Sequence, residues 1–535
     1  MIGTEGATPE IVVGIHRPVV MGRRGVVATG NHLATLAAMK VLMDGGNAVD
    51  AAVTAAGVLA VVMPQACGIG GDAFMQVYDA KSRKLEAING SGAASALATP
   101  DRFPNGIPQR GVLSASVPGA VDAWATALER HGTISLKDAL QPAIFYAEEG
   151  FPLTALTGRG LREQLAVVKA DPGMSAIFLR GGEPIRPGQL CVQRDLARAL
   201  RLIAEQGRDA FYCGEIAHVI ERFMGQRGGL VSRQDLAAHA TQVREPVRST
   251  YRGLTVSEQP PVSVGVILLE ALNILEGFDL ASLGHNSPEA VHLQVEAIRL
   301  AFADRDRFLG DPDAVQIPLQ GLSSKTYAAK RRALISRERA AHSVLPGEPG
   351  GDTTYLCVVD GQGNAVSFIQ SVFVFFGAGV VVDGTGIILN NRMIGFSLTP
   401  GHPNCLAPGR RTAHTLNTYM LFRDGELQIV GGTPGGVGQI QTNVQVICNL
   451  VDFGLNVQQA IEAPRWLCES GVTIAMEGRM APATVRGLEE RGHQVRLAPP
   501  WHFPMGGVQA IVRHPAGDCF MAGADPRREG YALAW

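Results

Sequence analysis

Apolar positions along the chain fall into two rhythms. Between Asn31 and Asp44 they recur at helical spacing, so Ala34, Met39, Val41 and Leu42 can share one buried face. Asn47 and Asp50 then introduce Ala51–Met63, a 13-residue apolar run closed by Pro64. Asn and Asp start helices by accepting from orphaned N–H groups, and a membrane span needs roughly 20 apolar residues. The run therefore predicts a fully buried helix. Ala73–Tyr78 and Leu85–Ile88 predict paired strands around the turn Asp79–Lys84. From about Ser116 to Arg244 the spacing predicts helices over Ala120–His131, Leu136–Glu149, Gln193–Gln206, Ala217–Arg222 and Ser232–Ala240. Another is expected over Glu289–Phe308.

Residues 309–352 interrupt this pattern. A basic stretch, KRRALISRERAAH, gives way to SVLPGEPGGD, which is rich in Gly and Pro. The composition predicts an exposed, cleavable connector or an ordinary surface loop. Beyond it the period shortens. Thr353–Val359 and Ala365–Ser371 predict two strands around the hairpin turn DGQGN, Asp360–Asn364. Gly386–Leu389, Tyr419–Phe422 and Gln428–Val430 predict more strands, followed by helices over Gln439–Phe453 and Val457–Ala463. The expectation is a mixed α/β chain, helix-rich at first and strand-rich in its last third.

Composition narrows the class. The chain has 535 residues, with 47 basic and 49 acidic side chains and a formal charge of −2. Duplex-binding proteins carry a basic excess or stripe, so no nucleic acid partner is expected. The 46% hydrophobic and 18% charged content favours a large buried core. Eight scattered cysteines without a CxxC pair argue against a structural zinc site and a disulfide framework. The first residues, MIGTEGATPE, do not read as a secretory signal. A cytoplasmic enzyme with no membrane association is the expectation.

The candidate chemistry starts where the connector ends. GGD followed by Thr-Thr puts a hydroxyl, Thr353, at the opening of a strand. It is either an ordinary strand threonine or a residue that becomes a chain terminus. A threonine hydroxyl needs a base, and an α-amine with a pKa of ~7.7–8.0 can serve on the same residue. That amine exists only after the Asp352–Thr353 bond is cut, and the Thr353 hydroxyl itself can attack the Asp352 carbonyl. Acyl chemistry also needs an oxyanion hole. Gly431–Gly438, GGTPGGVG, lies between a predicted strand and a predicted helix, where glycines allow close backbone approach. It lacks the lysine and spacing of the phosphate loops.

Several blocks together resemble the γ-glutamyltranspeptidases among the N-terminal-nucleophile hydrolases: GNAVDAAV (46–53), VMPQACGIGGDAFM (62–75), SVPGAVDAW (116–124), TTYLCVVDGQGNAVSFIQS (353–371), GAGVVVDGTGIILNN (377–391), GGTPGG (431–436), DFGLNVQQAIEAPR (452–465) and ADPRR (524–528). The resemblance implies an α/β fold, a four-layer αββα sandwich built from two self-cleaved chains, 1–352 and 353–535. It makes Thr353 the nucleophile and Ser371 its hydrogen-bonding partner, standing where the family has a second threonine. It also gives the oxyanion N–H groups to Gly435 and Gly436. It implies no cofactor and no metal.

The chain departs from that family where the γ-glutamyl group would be clamped. Phe373 stands where an Asn is expected, Arg392 and Gly395 replace a Gln and an Asp, and His414 and Thr415 replace paired serines. Ser91 lies where a carboxylate-binding Arg is expected. Such a pocket is apolar and cationic, and a buried charge left unpaired is costly. Arg392 suits a carboxylate, with His414 as a further donor and Phe373 and Thr415 beside them; a structural ion pair at Arg392 and a core histidine at 414 are the alternatives. The GIGGD and INGSG features resemble a cytoplasmic branch that includes oxamate amidohydrolases and glutaryl-type acylases. The expected substrate is a small carboxylate-bearing amide, oxamate-like or glutaryl-like. The alternatives are a γ-glutamyl hydrolase/transferase acting on glutathione or γ-glutamyl amides, and a catalytically silent anion binder. The expected partners are the substrate and the two chains of one precursor as a heterodimer.

Overall fold

The computed structural model describes residues 15–341 and 352–535, with Asp352 described by its backbone alone. Among these residues two seven-stranded sheets, antiparallel throughout, form the centre. Their strands are β1 (Val20–Gly22), β2 (Gly25–Thr29), β3 (Asp72–Asp79), β4 (Lys84–Gly90), β5 (Gln242–Arg244), β6 (Val247–Tyr251), β7 (Leu254–Glu258), β8 (Asp352–Asp360), β9 (Ala365–Phe373), β10 (Tyr419–Arg423), β11 (Glu426–Gly432), β12 (Gln509–Arg513), β13 (Phe520–Ala524) and β14 (Tyr531–Ala534). One sheet runs β14-β2-β8-β9-β3-β4-β5 and the other β1-β13-β12-β11-β10-β7-β6.

Alternation along β8 shows how the layers form. Tyr355, Cys357 and Val359 enter the space between the sheets, with Ile369, Met420, Val430 and Ile511. Leu356 and Val358 face the opposite way, into a core shared with helices α1 (His32–Met43), α2 (Ala48–Val62) and α3 (Leu136–Glu149). The outer face of the second sheet packs on α4 (Gly265–Leu275), α5 (Pro288–Phe308) and α6 (Gly438–Val451). Residues of period two thus supply both faces of each sheet, and the result is the four-layer αββα sandwich expected.

The helix starts follow the capping residues. Asn31 accepts from Leu33 N, and Asn47 forms a capping box with Asp50. Helix α2 is buried throughout, which explains its unbroken apolar run. The predicted pair around Asp79–Lys84 and the DGQGN hairpin are both present. The connector differs from an open loop. Its first part holds short helices at Leu319–Leu322 and Lys325–Arg332, tied down by Lys325–Glu276 (2.6 Å) and Arg331–Asp304 (2.9 Å). Residues 342–351 lie outside the described residues. No helix among the described residues is long and apolar enough to cross a membrane.

Candidate active site

Thr353 is 2% exposed and stands second in β8. The pairing steps from Asp352↔Phe373 to Thr354↔Gln370, so Ser371 and Val372 of β9 face Thr353 alone. A bulge of this kind re-aims a side chain. Thr353 Oγ1 donates to Ser371 Oγ at 3.3 Å, and the same Ser371 oxygen accepts from Phe373 N at 2.7 Å. The structure brings these two expected partners together.

The glycine-rich stretch divides into two pairs with different jobs. Gly431 and Gly432 belong to β11, so the strand runs further than its apolar residues predict. A Cβ on Gly432 would come within 2.4 Å of the Tyr355 ring, and one on Gly431 within 2.3 Å of Tyr419 Oη. Gly432 lets the Tyr355 ring of the facing sheet close onto β11 near Thr353, and Gly431 makes room for the Tyr419 side chain of its neighbouring strand β10. Gly435 and Gly436 form the turn itself, at φ 134° and 56°, a region that disfavours side chains. Helix α6 follows without a side-chain cap or an acid in its first turn, leaving its positive end directed at this turn.

Arg392 is buried, and its guanidinium lies 4.0 Å from the centroid of the Phe373 ring. Phe373 itself adopts φ 85°, strained for a non-glycine residue. The residue that reading the sequence missed is Asp72. It begins β3, opposite Ser371 in the register, and its Oδ2 accepts from Arg392 Nε and from His414 Nε2, each at 3.1 Å, while Oδ1 accepts from Gly92 N. The motif GIGGD carried the signal. A Cβ on Gly71 would meet the Ser371 carbonyl oxygen at 2.3 Å and one on Gly70 the Ile388 oxygen at 2.2 Å, so the glycines bring the acid close against β9, the strand beside Thr353. Asn390 and Asn391 of GIILNN staple the surrounding loops, Asn390 to Ser116 and Gly70, Asn391 to Val374 and Gln109.

Charges in this cluster are settled by competition. Burial raises the Asp72 carboxyl, but His414, Arg392 and the Gly92 N–H together bring it below its ordinary value. Burial, and then the Arg392 charge, lower His414 to about 4. His414 is therefore a neutral imidazole at neutral pH; its Nδ1 accepts from Leu416 N, which leaves Nε2 carrying the hydrogen toward Asp72. Burial lowers Arg392 to about 10, still charged at neutral pH.

Arg392, Phe373 and Thr415 line a cavity of about 410 Å³ with Phe396, His402 and Val437. His414 does not line it: it stands behind the wall with both ring nitrogens engaged. Two buried polar atoms in this wall have no partner among the described residues, Arg392 Nη2 and Thr415 Oγ1. Arg305 and Asp306 also line the cavity but pair with each other at 2.6 Å. Ser91 is buried with its hydroxyl on Asn89. A group with ligand chemistry for a metal, His292, Glu296 and His493, lines neither this cavity nor the glycine turn, and His292 already bonds to His493 and the Ser336 carbonyl.

A sequence profile described as gamma-glutamyltranspeptidase matches residues 34–535. The chain is 39% identical to the glutathione hydrolase-like YwrD proenzyme of Bacillus subtilis (strain 168), across 96% of this chain and 99% of that protein. It is 38% identical to the acylase ACY 1 proenzyme of Pseudomonas sp. (strain SE83), across 93% of this chain and 91% of that protein. The structure superimposes on the crystal structure of cephalosporin acylase from Bacillus halodurans with a TM-score of 0.92 at 37% identity, covering 100% of this chain and 99% of that one.

Proposed function

The chain belongs to the γ-glutamyltranspeptidase family of N-terminal-nucleophile amidohydrolases, and we propose that it cleaves itself before Thr353 and then hydrolyses a small amide bearing a carboxylate on its acyl part. In this reading Thr353 Oγ1 attacks the Asp352 carbonyl carbon, the peptide nitrogen leaves as the new α-amine of Thr353, and water resolves the ester. Residues 1–352 and 353–535 remain together as large and small chains. In turnover the α-amine takes the Thr353 hydroxyl proton as the oxygen attacks the substrate carbonyl. The Gly435 and Gly436 N–H groups stabilise the oxyanion, the amine leaves with the proton, and water releases the acid.

The observation that carries the substrate class is the pair of unpartnered buried donors, Arg392 Nη2 and Thr415 Oγ1, in the wall of one cavity. Buried donors without acceptors are costly, and a carboxylate satisfies both at once. Asp72 fixes the guanidinium through Nε and leaves Nη2 for a ligand. An α-ammonium at the same place would face Arg392, and the acid in the cavity lining, Asp306, is already paired with Arg305. That weighs against the γ-glutamyl alternative.

The test joins processing to selectivity. Purified wild-type protein should give two masses, the smaller beginning at Thr353, and Thr353→Ala one uncut mass without activity. Oxamate and glutaryl amides should be turned over at least tenfold faster than γ-glutamyl p-nitroanilide. An active, uncut chain would overturn the nucleophile; a preference for the γ-glutamyl anilide would overturn the substrate class.

A further inference from the structure

We infer that a second cavity, behind the Gly435–Gly438 turn, receives the leaving amine of the substrate, and that this amine is apolar, aromatic or long-chain. The cavity measures about 330 Å³ and is walled by Gly435, Gly438, Leu467, Ala475, Phe503 and Met505. That volume lies at the small end of ligand sites. Val437 lines this cavity and also the one holding Arg392, so the turn is the partition between them.

The argument is geometric and rests on the oxyanion role just proposed for the turn. A carbonyl held by the N–H groups of Gly435 and Gly436 sends its two substituents away from the turn in different directions. One is the acyl chain, the other the amine, and there is one cavity on each side. The Arg392 side has the buried unpaired donors that a carboxylate needs. On the other side the Leu467 methyl carbons lie 3.4 and 3.6 Å from the position a Gly438 Cβ would take, and Pro504 O lies 3.9 Å from it. No side chain on either glycine stands between the turn and this apolar wall.

Glu469, Arg496 and Arg528 also line this cavity, with Gln441 and His502, and the three charged groups are already engaged. Arg496 pairs with Glu469, and the Arg528 guanidinium covers the Phe503 ring at 3.8 Å. Phe503 stacks on Phe375, with ring centroids 5.9 Å apart. Phe375 follows the strained Phe373 in a loop that Arg110 Nη1 grips through the Phe375 carbonyl at 2.7 Å. The Phe503 ring, backed by Phe375, gives the second cavity an aromatic side, and an apolar occupant buries surface there against a ring and aliphatic carbons.

The test keeps the acyl group constant. Glutaryl methylamide and glutaryl n-hexylamide have leaving amines of nearly equal basicity and differ in apolar length. The processed wild-type enzyme should favour the hexylamide in kcat/KM by at least about tenfold, the lower end of what an apolar pocket discriminates. Ala475→Trp fills the cavity and should bring that ratio toward one. Leu467→Asn, closer in volume, should lower it as well and serves if the tryptophan variant does not fold. Binding of 2-naphthylamine, followed by fluorescence anisotropy, should be saturable in the wild type and weaker in both variants. A hexyl-to-methyl ratio near one, or naphthylamine binding indifferent to both substitutions, would overturn the inference. If neither amide is turned over but naphthylamine binds and the variants weaken it, the acyl half of the proposal fails and the amine cavity stands.

Discussion

Replacing Asp72 by Asn tests the charge arrangement beneath the site. The wild-type carboxylate is fully buried and accepts three hydrogen bonds, from Arg392 Nε, His414 Nε2 and Gly92 N. Asparagine keeps the shape and one acceptor but removes the charge that balances Arg392. Removing one partner of a buried ion pair costs about 3–5 kcal/mol, because the other charge is left uncompensated. Asn retains part of the bonding, so the lower end, about 3 kcal/mol, is expected at pH 7. That is a change of roughly 100-fold in the unfolding equilibrium. The pH dependence has a definite sign. The folded-state pKa of Asp72 lies below its ordinary 3.8, so its stabilisation is present above that value and disappears as pH falls through the lower folded value. D72N should lack this acid-side loss. Denaturant titration of D72N, Arg392→Met and the double variant completes the cycle, and the double variant should cost at least about 1 kcal/mol less than the two singles added. Stability of D72N within about 0.5 kcal/mol of wild type, or strict additivity in the cycle, would refute the reasoning.

Ser371→Ala removes the acceptor of the Thr353 hydroxyl, and loss of a bond worth about 1.5 kcal/mol should lower kcat roughly tenfold with little change in KM, measured on the best amide. Gly435→Ala meets no atom closer than 3.7 Å but must occupy φ 134°; the protein should fold while the displaced N–H lowers kcat by about 10²–10³. His414, lowered to about 4 from 6.5 by burial and then by Arg392, stabilises the fold above pH 6.5, and this contribution falls away as pH drops from 6.5 toward 4. At about 1.4 kcal/mol per unit the loss approaches 3 kcal/mol. Burial lowers His239 and His493 as well, so the readout is the difference between wild type and His414→Gln over that range; parallel curves would refute it.

Local signals made parts of the fold legible and left others out. The helices over Ala120–His131 and Leu136–Glu149 are found at the expected bounds, because amphipathic spacing, joined in the second by the Ser135 cap, is a property of the segment itself. The strands β2, β7, β12, β13 and β14 were not expected. Each is five residues or fewer and has a partner far along the chain, β7 on β10, β12 on β11, β13 on β1 and β14 on β2, even where a local hairpin supplies the other, as in β6–β7 and β12–β13. Helix α4 is buried all round and so shows no polar face to read. At the site, motif spacing brought forward Thr353, Ser371 and the glycine turn as candidates. It did not expose Asp72, because an acid after two glycines reads as a turn residue. Its role appears only once β3 lies beside β9 and places it opposite Ser371. For Arg392 the sequence left a carboxylate-binding cation and a structural ion pair both open, and it could not name the partner, because that counter-ion is 320 positions away.

The same long-range pairing bears on what self-cleavage would do. Strand β8 lies between β2 and β9, and β3, β4 and β5 continue that sheet on the other side of β9. The second sheet likewise joins β1, β6 and β7 from before residue 352 to strands from after it. Hydrogen-bonded ladders and all three hydrophobic layers therefore cross the proposed cut, and hydrolysis of one peptide bond removes none of them. The cost is confined to the strand end at Thr353, and there the bulge already leaves β8 without regular pairing. Freeing Thr353 would create its α-amine beside its hydroxyl while Ser371, on the intact strand β9, holds that hydroxyl in place. The cut would thus change the chemistry of one residue without changing the scaffold that aims it.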